Sequence, residues 1–368
     1  MPLYMDRHEI PDDIKAEHVA SMHQADLKVQ HLYGCKGMTY WCDEKRRTAF
    51  CLIEAPNEKA IQDMHNHAHG DLPHSIIEVN ENLVESFLGR IEDPVNVDNE
   101  ILTAINEDTY RVIMVVEISN YFDRVEAEQY TIFTQKFHNS ASKTIRRFNG
   151  SVVKKDNNSY LVSFESVSDA VRCALKIQFK FKYVTPKQDS FNRRLNIALS
   201  IGMPVTGNTS LFEDGVSLAT RMCEILKDPL VISAEVNTMF ENENRNAVID
   251  KDLIKALTPA EEKFLINLMD HTESNWKSPS FNVQTLSKEL GYSKSQLYRK
   301  LINLTGKSPN HFIREFRLHK ALDLLHRQEG NISEIAYETG FNSPTYFSKC
   351  FLDKYRILPS RYLQQHIN

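Results

Sequence analysis

Hydrophobic and polar positions change rhythm three times along the chain. Near the start, "PLYMDRH" alternates as a strand, and Asp12 to Leu32 has helix composition closed by Gly34. "MTYWCD" and "TAFCLIEA" read as strands around the turn "EKRR". Pro56 and Asn57 open a second helix running to about Gly70, and "SIIEV" is a last strand. Residues 81–108 are polar, with "EDPVNVDNE" the clearest linker. From there to Phe240, strands ("RVIMVVEI", "SYLVSF", "LNIALSIGM", "PLVIS") alternate with helical patterns ("EQYTIFTQKFHNSASKTIRRF", "SVSDAVRCALKIQFKF", "GVSLATRMCEIL"). Residues 241–262, rich in Asn and Glu, form another junction, and everything after it has a helical period.

These rhythms predict a multidomain α+β chain. Residues 1–80 follow the β-α-β-β-α-β order of a ferredoxin-like sandwich, and residues 109–240 form a second α+β domain. Residues 263–368 form an all-α domain in which one plan occurs twice. Val283, Leu286 and Leu290 make a helical stripe, "GYS" a turn, and Leu297, Leu301 and Leu304 a second stripe. Ile332, Ile335 and Ala336 lead to "GFNS" and then Phe347 and Phe351. Helix, short Gly turn, helix is the helix-turn-helix plan, whose second helix can enter a major groove. A purely structural bundle is the alternative, and the second copy weighs against it.

Composition narrows the picture. With 41 % hydrophobic and 25 % charged residues the chain is ordinary for a globular protein. No stretch approaches the ~18 apolar residues that span a membrane, and "MPLYMDRHEI" shows no secretory pattern. Six scattered cysteines suit a reducing cytoplasm. The net charge of −5 hides an asymmetry: from Lys263 onward, 15 Lys and Arg face 9 Asp and Glu. That +6 module on a −11 body predicts a local polyanion-binding surface.

At "ISEIAYETGFNSPTYFSKCFLDKYRILPSRY" the chain resembles the AraC/XylS family of bacterial transcription regulators, over roughly 100 residues. It follows I-x-x-I-A-x-x-x-G-F-x-[SD]-x-x-Y-F-x-x-x-F-K-x-x-x-x-x-[ST]-P-x-x-[YF] nearly throughout; one departure is Ile357, where glycine is usual. The resemblance implies double-stranded DNA as partner. The positions it gives to the first recognition helix are Ser295, Gln296, Tyr298 and Arg299; those on the second are Thr345 and Lys349. Arg299 is the foremost base reader, because a guanidinium can grip guanine bidentately. Lys294, Lys300 and Lys307 are expected on phosphates, with the helix N-termini at Ser293 and Ser343.

The middle segment resembles the nucleotide cyclase catalytic domain. "VVEISNYF", "FNGSVVKKDNNSYLVSFESVSDAVRCALKIQ", "LNIALSIGMPVTGN" and "GVSLATRMCEI" carry the likeness. Cyclisation needs two carboxylates holding two divalent ions. The first matching position is Glu117, the second is the neutral Asn158, and Ser217 stands where an Asn near the ribose is usual. Lys154, at a base-recognition position, and Arg221, at a phosphate-contacting one, match the family. A catalytically inactive cyclase-like domain is the expectation, with nucleotide binding at Lys154 and Arg221 or plain surface charge as alternatives.

"MHNHAHG" raises the question of a metal. Eight of the fourteen histidines fall in residues 1–80. On a helix His65 and His69 share a face, whereas His67 points about 200° away. Strand alternation puts Tyr4, Asp6 and His8 on one face. Metal ligation and solvated histidines both remain open at this point. "MDRHEIP", "YGCKGMTYWCDEKRRTAFCLIEAPNEKAI" and "HNHAHGDLPHSIIEV" resemble a small ferredoxin-like family with nickel-binding members. The resemblance implies His8, His65, His69 and Glu78 as ligands, with nickel, zinc and copper all suited to imidazole.

The expected whole is a homodimeric cytoplasmic transcription regulator that senses an effector, a metal or a small molecule, upstream of its DNA reader. The rival is an active nucleotide cyclase fused to a DNA-binding domain; a third reading gives control to a nucleotide or a protein partner.

Overall fold

The computed structural model describes residues 1–94, 104–120, 127–184, 193–207, 210–244 and 252–365. The first unit runs β1 (Leu3–Glu9), α1 (Ala16–Val29), β2 (Lys36–Asp43), β3 (Thr48–Glu54), α2 (Glu58–Ala68) and β4 (Ser75–Val79). Its four strands are antiparallel in the order β2-β3-β1-β4, the ferredoxin-like arrangement. Asn57 starts α2 by accepting the Ala60 amide, as its position ahead of the apolar stripe implies. Gly34 takes φ +65° where the α1 segment ends. Tyr40, Cys42, Cys51 and Ile53 pack under α1 and α2, while Met5, Trp41, Phe50, Leu52 and Ile77 point to the opposite face.

That opposite face is where the expected linker departs from its polar appearance. Residues Glu81–Leu88 form α3, capped by Asn80 and burying Val84, Phe87 and Leu88 in a core that also takes in Met5, Trp41 and Phe50. The i, i+3, i+4 spacing of these apolar residues makes a short amphipathic helix despite its acidic neighbours. Past residues 95–103, which lie outside the described residues and include most of "EDPVNVDNE", the chain returns along β2. The Glu107 amide donates to the Cys42 carbonyl, and the Thr109 amide to Asp43. The first sheet thus has its own helices on one face, and on the other a core shared with α3 and residues of the following unit such as Val205 and Phe212.

The second unit runs β5 (Arg111–Asn120), α4 (Ala127–Arg147), β6 (Ser151–Lys155), β7 (Ser159–Phe164), α5 (Val167–Val184), β8 (Arg193–Gly202), α6 (Glu213–Ile225), β9 (Leu230–Ile232), α7 (Ala234–Glu243) and β10 (Lys255–Ala256). The sheet order is β10-β9-β8-β5-β7-β6. Its first four strands repeat the connectivity of the first unit, with β9 and β10 added in parallel. β10 falls inside the expected 241–262 junction, so part of that junction belongs to the sheet. A Cβ on Gly215 would lie 2.7 Å from the Gly202 Cα, so only glycine lets α6 rest directly on β8. Arg111 is buried and donates to the carbonyls of Phe87, Asp108 and Tyr110, stapling α3 to β5.

The helical unit comprises α8 (Pro259–Asn275), α9 (Val283–Glu289), α10 (Lys294–Thr305), α11 (Pro309–His326), α12 (Ile332–Glu338), α13 (Pro344–Tyr355) and α14 (Pro359–Gln365). Thr258 and Glu261 form a capping box around Pro259 at the start of α8. The turns of the two helix-turn-helix units hold Gly291 at φ +70° and Gly340 at φ +78°. The second unit has its own core, with Phe347 and Phe351 fully buried.

Candidate metal centre and nucleic-acid interface

Strand alternation sends Asp6 and His8 of β1 to the face beneath the helices, where α2 brings His65 and its C-cap His69, and α1 brings Asp26. His65 is fully buried and gripped at both nitrogens: Nε2 lies 2.8 Å from Asp6 Oδ2 and Nδ1 3.0 Å from Asp26 Oδ1. His69 Nε2 closes a triangle, 3.1 Å from His65 Nδ1 and 3.3 Å from Asp26 Oδ1. His8 sits one ring further on. Its Nδ1 is 3.0 Å from Asp71 and its Nε2 3.5 Å from Asp6, with ring centroids 5.1 Å from His65. The donors form two adjoining sets, Asp26–His65–His69 and Asp6–His8–Cys51.

The electrostatics follow from this packing. Burial opposes the Asp6 carboxylate, but His8 and His65 outweigh it and hold the group well below the usual range. Burial likewise opposes the imidazoliums; Asp6 pushes His8 up to about 9, and Asp26 with Asp6 pushes His65 up to about 10. The cluster is therefore a network of imidazolium–carboxylate pairs. Deprotonating its imidazoles leaves the carboxylates of Asp6, Asp26 and Asp71, a net negative charge that suits a divalent cation, so cation entry releases protons.

The fit to a metal rests on the donor set. Around a first-row cation with bonds of about 2.0–2.1 Å, neighbouring ligand atoms lie roughly 3.0–3.4 Å apart, and the triangle's edges fall in that range. His65 Nε2 on Asp6 is the outer carboxylate that orients a ligating imidazole. Three sequence expectations change. Asp26, not His8, completes the set around His65 and His69. Glu78 is exposed opposite Tyr4, four strand residues or roughly 13 Å from His8, and belongs to neither set. Asp6, already placed on the His8 face of β1, is joined by Cys51 and Asp71, which the sequence reading did not single out. Asp26 did leave a signal: it extends the buried stripe Ala16, Val19, Ala20, His23 of α1. His67 is exposed and bonds the Tyr33 hydroxyl, away from the cluster.

On the helical unit, Ser295, Tyr298 and Arg299 of α10 are exposed, as are Thr345 and Lys349 of α13. Gln296 is exposed but partly committed, since its Oε1 accepts the Ser293 amide in a capping box. Lys300 lies over the rings of Phe264 and Tyr292, at 5.2 and 5.0 Å from their centroids, and its ammonium is spent on those faces. Lys307, expected on phosphate, is 2.6 Å from Glu315. An open groove of about 410 Å³ between α11 and α13 adds His311, Arg314 and Tyr346 beside Lys349.

Glu315 joins these helices. Burial works against its carboxylate, yet Lys354 at 3.0 Å and Lys307 at 2.6 Å hold it down at about 2. A folded value below the unfolded one means stability that is present above about pH 4.5 and lost as pH falls toward 2. Wild type is expected to lose about 2 kcal/mol across that window, after allowance for solvent screening. Glu315→Gln should flatten that part of the profile, which denaturant melts at pH 3 and pH 7 would show.

The cyclase-like positions divide: Glu117 and Asn158 meet in one cleft, and Lys154 and Arg221 lie outside it. Lys154 is exposed and 3.3 Å from Asp156. Arg221 is committed to Asp270 at 2.8 Å and Glu273 at 2.6 Å of α8. An open cleft of about 590 Å³ at the end of β5 is lined by Glu117, His138, Lys155 and Asn158, and by neither Lys154 nor Arg221. Burial pushes the Glu117 carboxyl above its usual range.

Two family models match the chain. Residues 286–365 match one described as a helix-turn-helix domain, and residues 4–79 one described as nickel responsive protein SCO4226-like. The C-terminal unit is an AraC-type domain, and the N-terminal unit is an SCO4226-like domain. Histidine kinase P4 of Formosa agariphila is 40 % identical over 119 residues, 30 % of this chain and 9 % of that protein. The transcriptional regulator MtrA of Neisseria gonorrhoeae is 30 % identical over 98 residues, 27 % of this chain and 31 % of that protein. The chain thus spans under a third of these curated relatives. The solved structure of SCO4226 from Streptomyces coelicolor A3(2) is 32 % identical, covering 21 % of this chain and 94 % of that one, with TM-score 0.20. A bacterial light-regulated adenylyl cyclase covers 65 % of this chain and 87 % of its own at 13 % identity and TM-score 0.28, too slight a likeness to assign the middle unit. The two family models leave residues 80–285 uncovered.

Proposed function

We propose that this chain is a transcription regulator that reads double-stranded DNA with α10 and α13, and whose DNA binding answers to a transition metal in the SCO4226-like domain. The observation that carries the reading is the Asp26–His65–His69 triangle, with 3.0–3.3 Å edges, on the same chain as an AraC-type domain. Nickel is the foremost metal, because the matching family is described by it; zinc and copper suit the same donors. Asp26, His65 and His69 hold the ion, Asp6 orients His65, and His8 waits in the adjoining set. The bound ion supplies positive charge that replaces the protons now shared between imidazoles and carboxylates. Selection of binding sites from a random DNA pool by the full chain, with and without nickel, tests the reading. Enrichment of a defined sequence that changes with nickel supports it; no enrichment under either condition overturns the DNA reading, and identical enrichment under both overturns the metal response.

The middle unit serves, in this reading, as a body joining sensor and reader rather than as a cyclase. Asn158 offers no charge to a hard cation, desolvation of the half-buried Glu117 opposes its carboxylate, and Arg221 is already paired. With ATP or GTP and manganese, the protein is expected to form no cyclic nucleotide above a protein-free control. Turnover that vanishes in Glu117→Ala would restore the enzymatic rival. A homodimer, measured as native mass, has to use surfaces other than the Met5–Trp41–Phe50 sheet face, which is already buried in a core shared with α3 and the middle unit.

A further inference from the structure

We infer that the middle unit grips α8, the helix against which the first helix-turn-helix packs, through a clamp centred on Arg221, fixing where α10 sits while leaving its reading face open. Arg221 leaves α6 as a fork. Nε and one terminal nitrogen reach the two oxygens of Glu273 at 3.3 and 2.6 Å, and that terminal nitrogen also lies 2.8 Å from Asp270. Only 15 % of the Arg221 side chain is exposed, which sets the clamp apart from an isolated surface pair.

Three further contacts join the same two bodies. The Lys227 amide, just beyond α6, donates to the Leu304 carbonyl at the end of α10, 3.1 Å away. This occupies one of the carbonyls that a helix C-terminus leaves unpaired. The Ala234 amide donates to Glu262 of α8. Met222, Leu226 and Leu257 share a continuous apolar core with Phe264, Leu268 and Leu304. The second helix-turn-helix is built differently, on a separate core running from Leu318 to Tyr362.

The consequence is a division of labour in the reader. Ser295, Tyr298 and Arg299 stay exposed with the clamp closed, so it positions α10 without hiding it. The first unit moves with the upstream body, and the second follows through α11. Partner and surface are both segments of this chain, and the clamp does not depend on the metal reading.

The test is amide exchange on the full chain, without metal or DNA. Arg221→Gln is expected to speed exchange in 259–275 and 294–305 by about 10-fold, as local opening becomes cheaper, and to leave 332–355 and 36–54 unchanged. Arg221→Glu should do the same, and adding Glu273→Arg should restore protection. No acceleration, acceleration extending to the first sheet, or failure of the charge swap overturns the clamp. A DNA affinity raised about 10-fold or more in Arg221→Gln would mean that the contact hides the reader, and would overturn the positioning role.

Discussion

Replacing both His65 and His69 with alanine is expected to lower nickel affinity at least about 100-fold, since two of three converging donors go and even outer-shell partners are worth 10–100-fold. His67→Ala should titrate like wild type, because its exposed ring bonds Tyr33 and faces away from the triangle. Asp26→Asn should fall between them, keeping an oxygen but losing the charge that balances the cation. Folding has to be separated from binding. Asp6 and Asp26 are buried, and stripping their imidazole partners costs roughly 3 kcal/mol or more. His69→Ala is the cleaner single variant, because its side chain is 10 % exposed at the rim of the cluster. Calorimetric titration with nickel and zinc, paired with thermal melts, reads both quantities. Equal binding by wild type and the double variant would place the metal elsewhere.

Arg299→Ala is expected to cost about 1–3 kcal/mol on the selected site and to relax base preference at one position. The reason is local: Arg299 stands exposed on α10, and none of the cap or ring contacts around it engages its guanidinium. Lys300→Ala now carries a different expectation from that of a phosphate contact. Its ammonium caps Phe264 and Tyr292, so the loss should appear in stability of the α8–α10 packing more than in the salt dependence of DNA binding. Lys349→Ala, on exposed α13, should weaken binding with a smaller change in base preference. Competition binding against single-base variants of the site separates these outcomes.

Much of the fold was legible because local signals agreed. The period-2 runs became strands in the expected β-α-β-β-α-β order, and Asn57, Ser293 and Ser343 cap the helices they precede. What was hidden depended on partners distant in sequence. The linker reading of 81–108 failed at α3, whose apolar stripe of only three buried residues acquires meaning from a core built by residues distant in sequence, such as Trp41 and Phe212. Asp26 lies 39 residues from His65, and no spacing rule joins them. Arg221 matched a phosphate-contacting position in the family pattern, yet α8 supplies two carboxylates to it first. Lys300 and Gln296 sit on the expected reading helix, but a ring pair and a helix cap claim them. In each case the residue type was right for the proposed chemistry, and tertiary packing assigned it another partner.

The central claim is that metal and DNA binding are linked through one protein. Its most direct test is the affinity of the full chain for its selected DNA, measured metal-free and nickel-saturated, together with nickel affinity measured on and off that DNA. The account predicts a change of about 1–3 kcal/mol, the same factor in both directions, and its absence in the His65→Ala/His69→Ala variant. Equal DNA affinity with and without nickel, in a protein that demonstrably binds both, would contradict it.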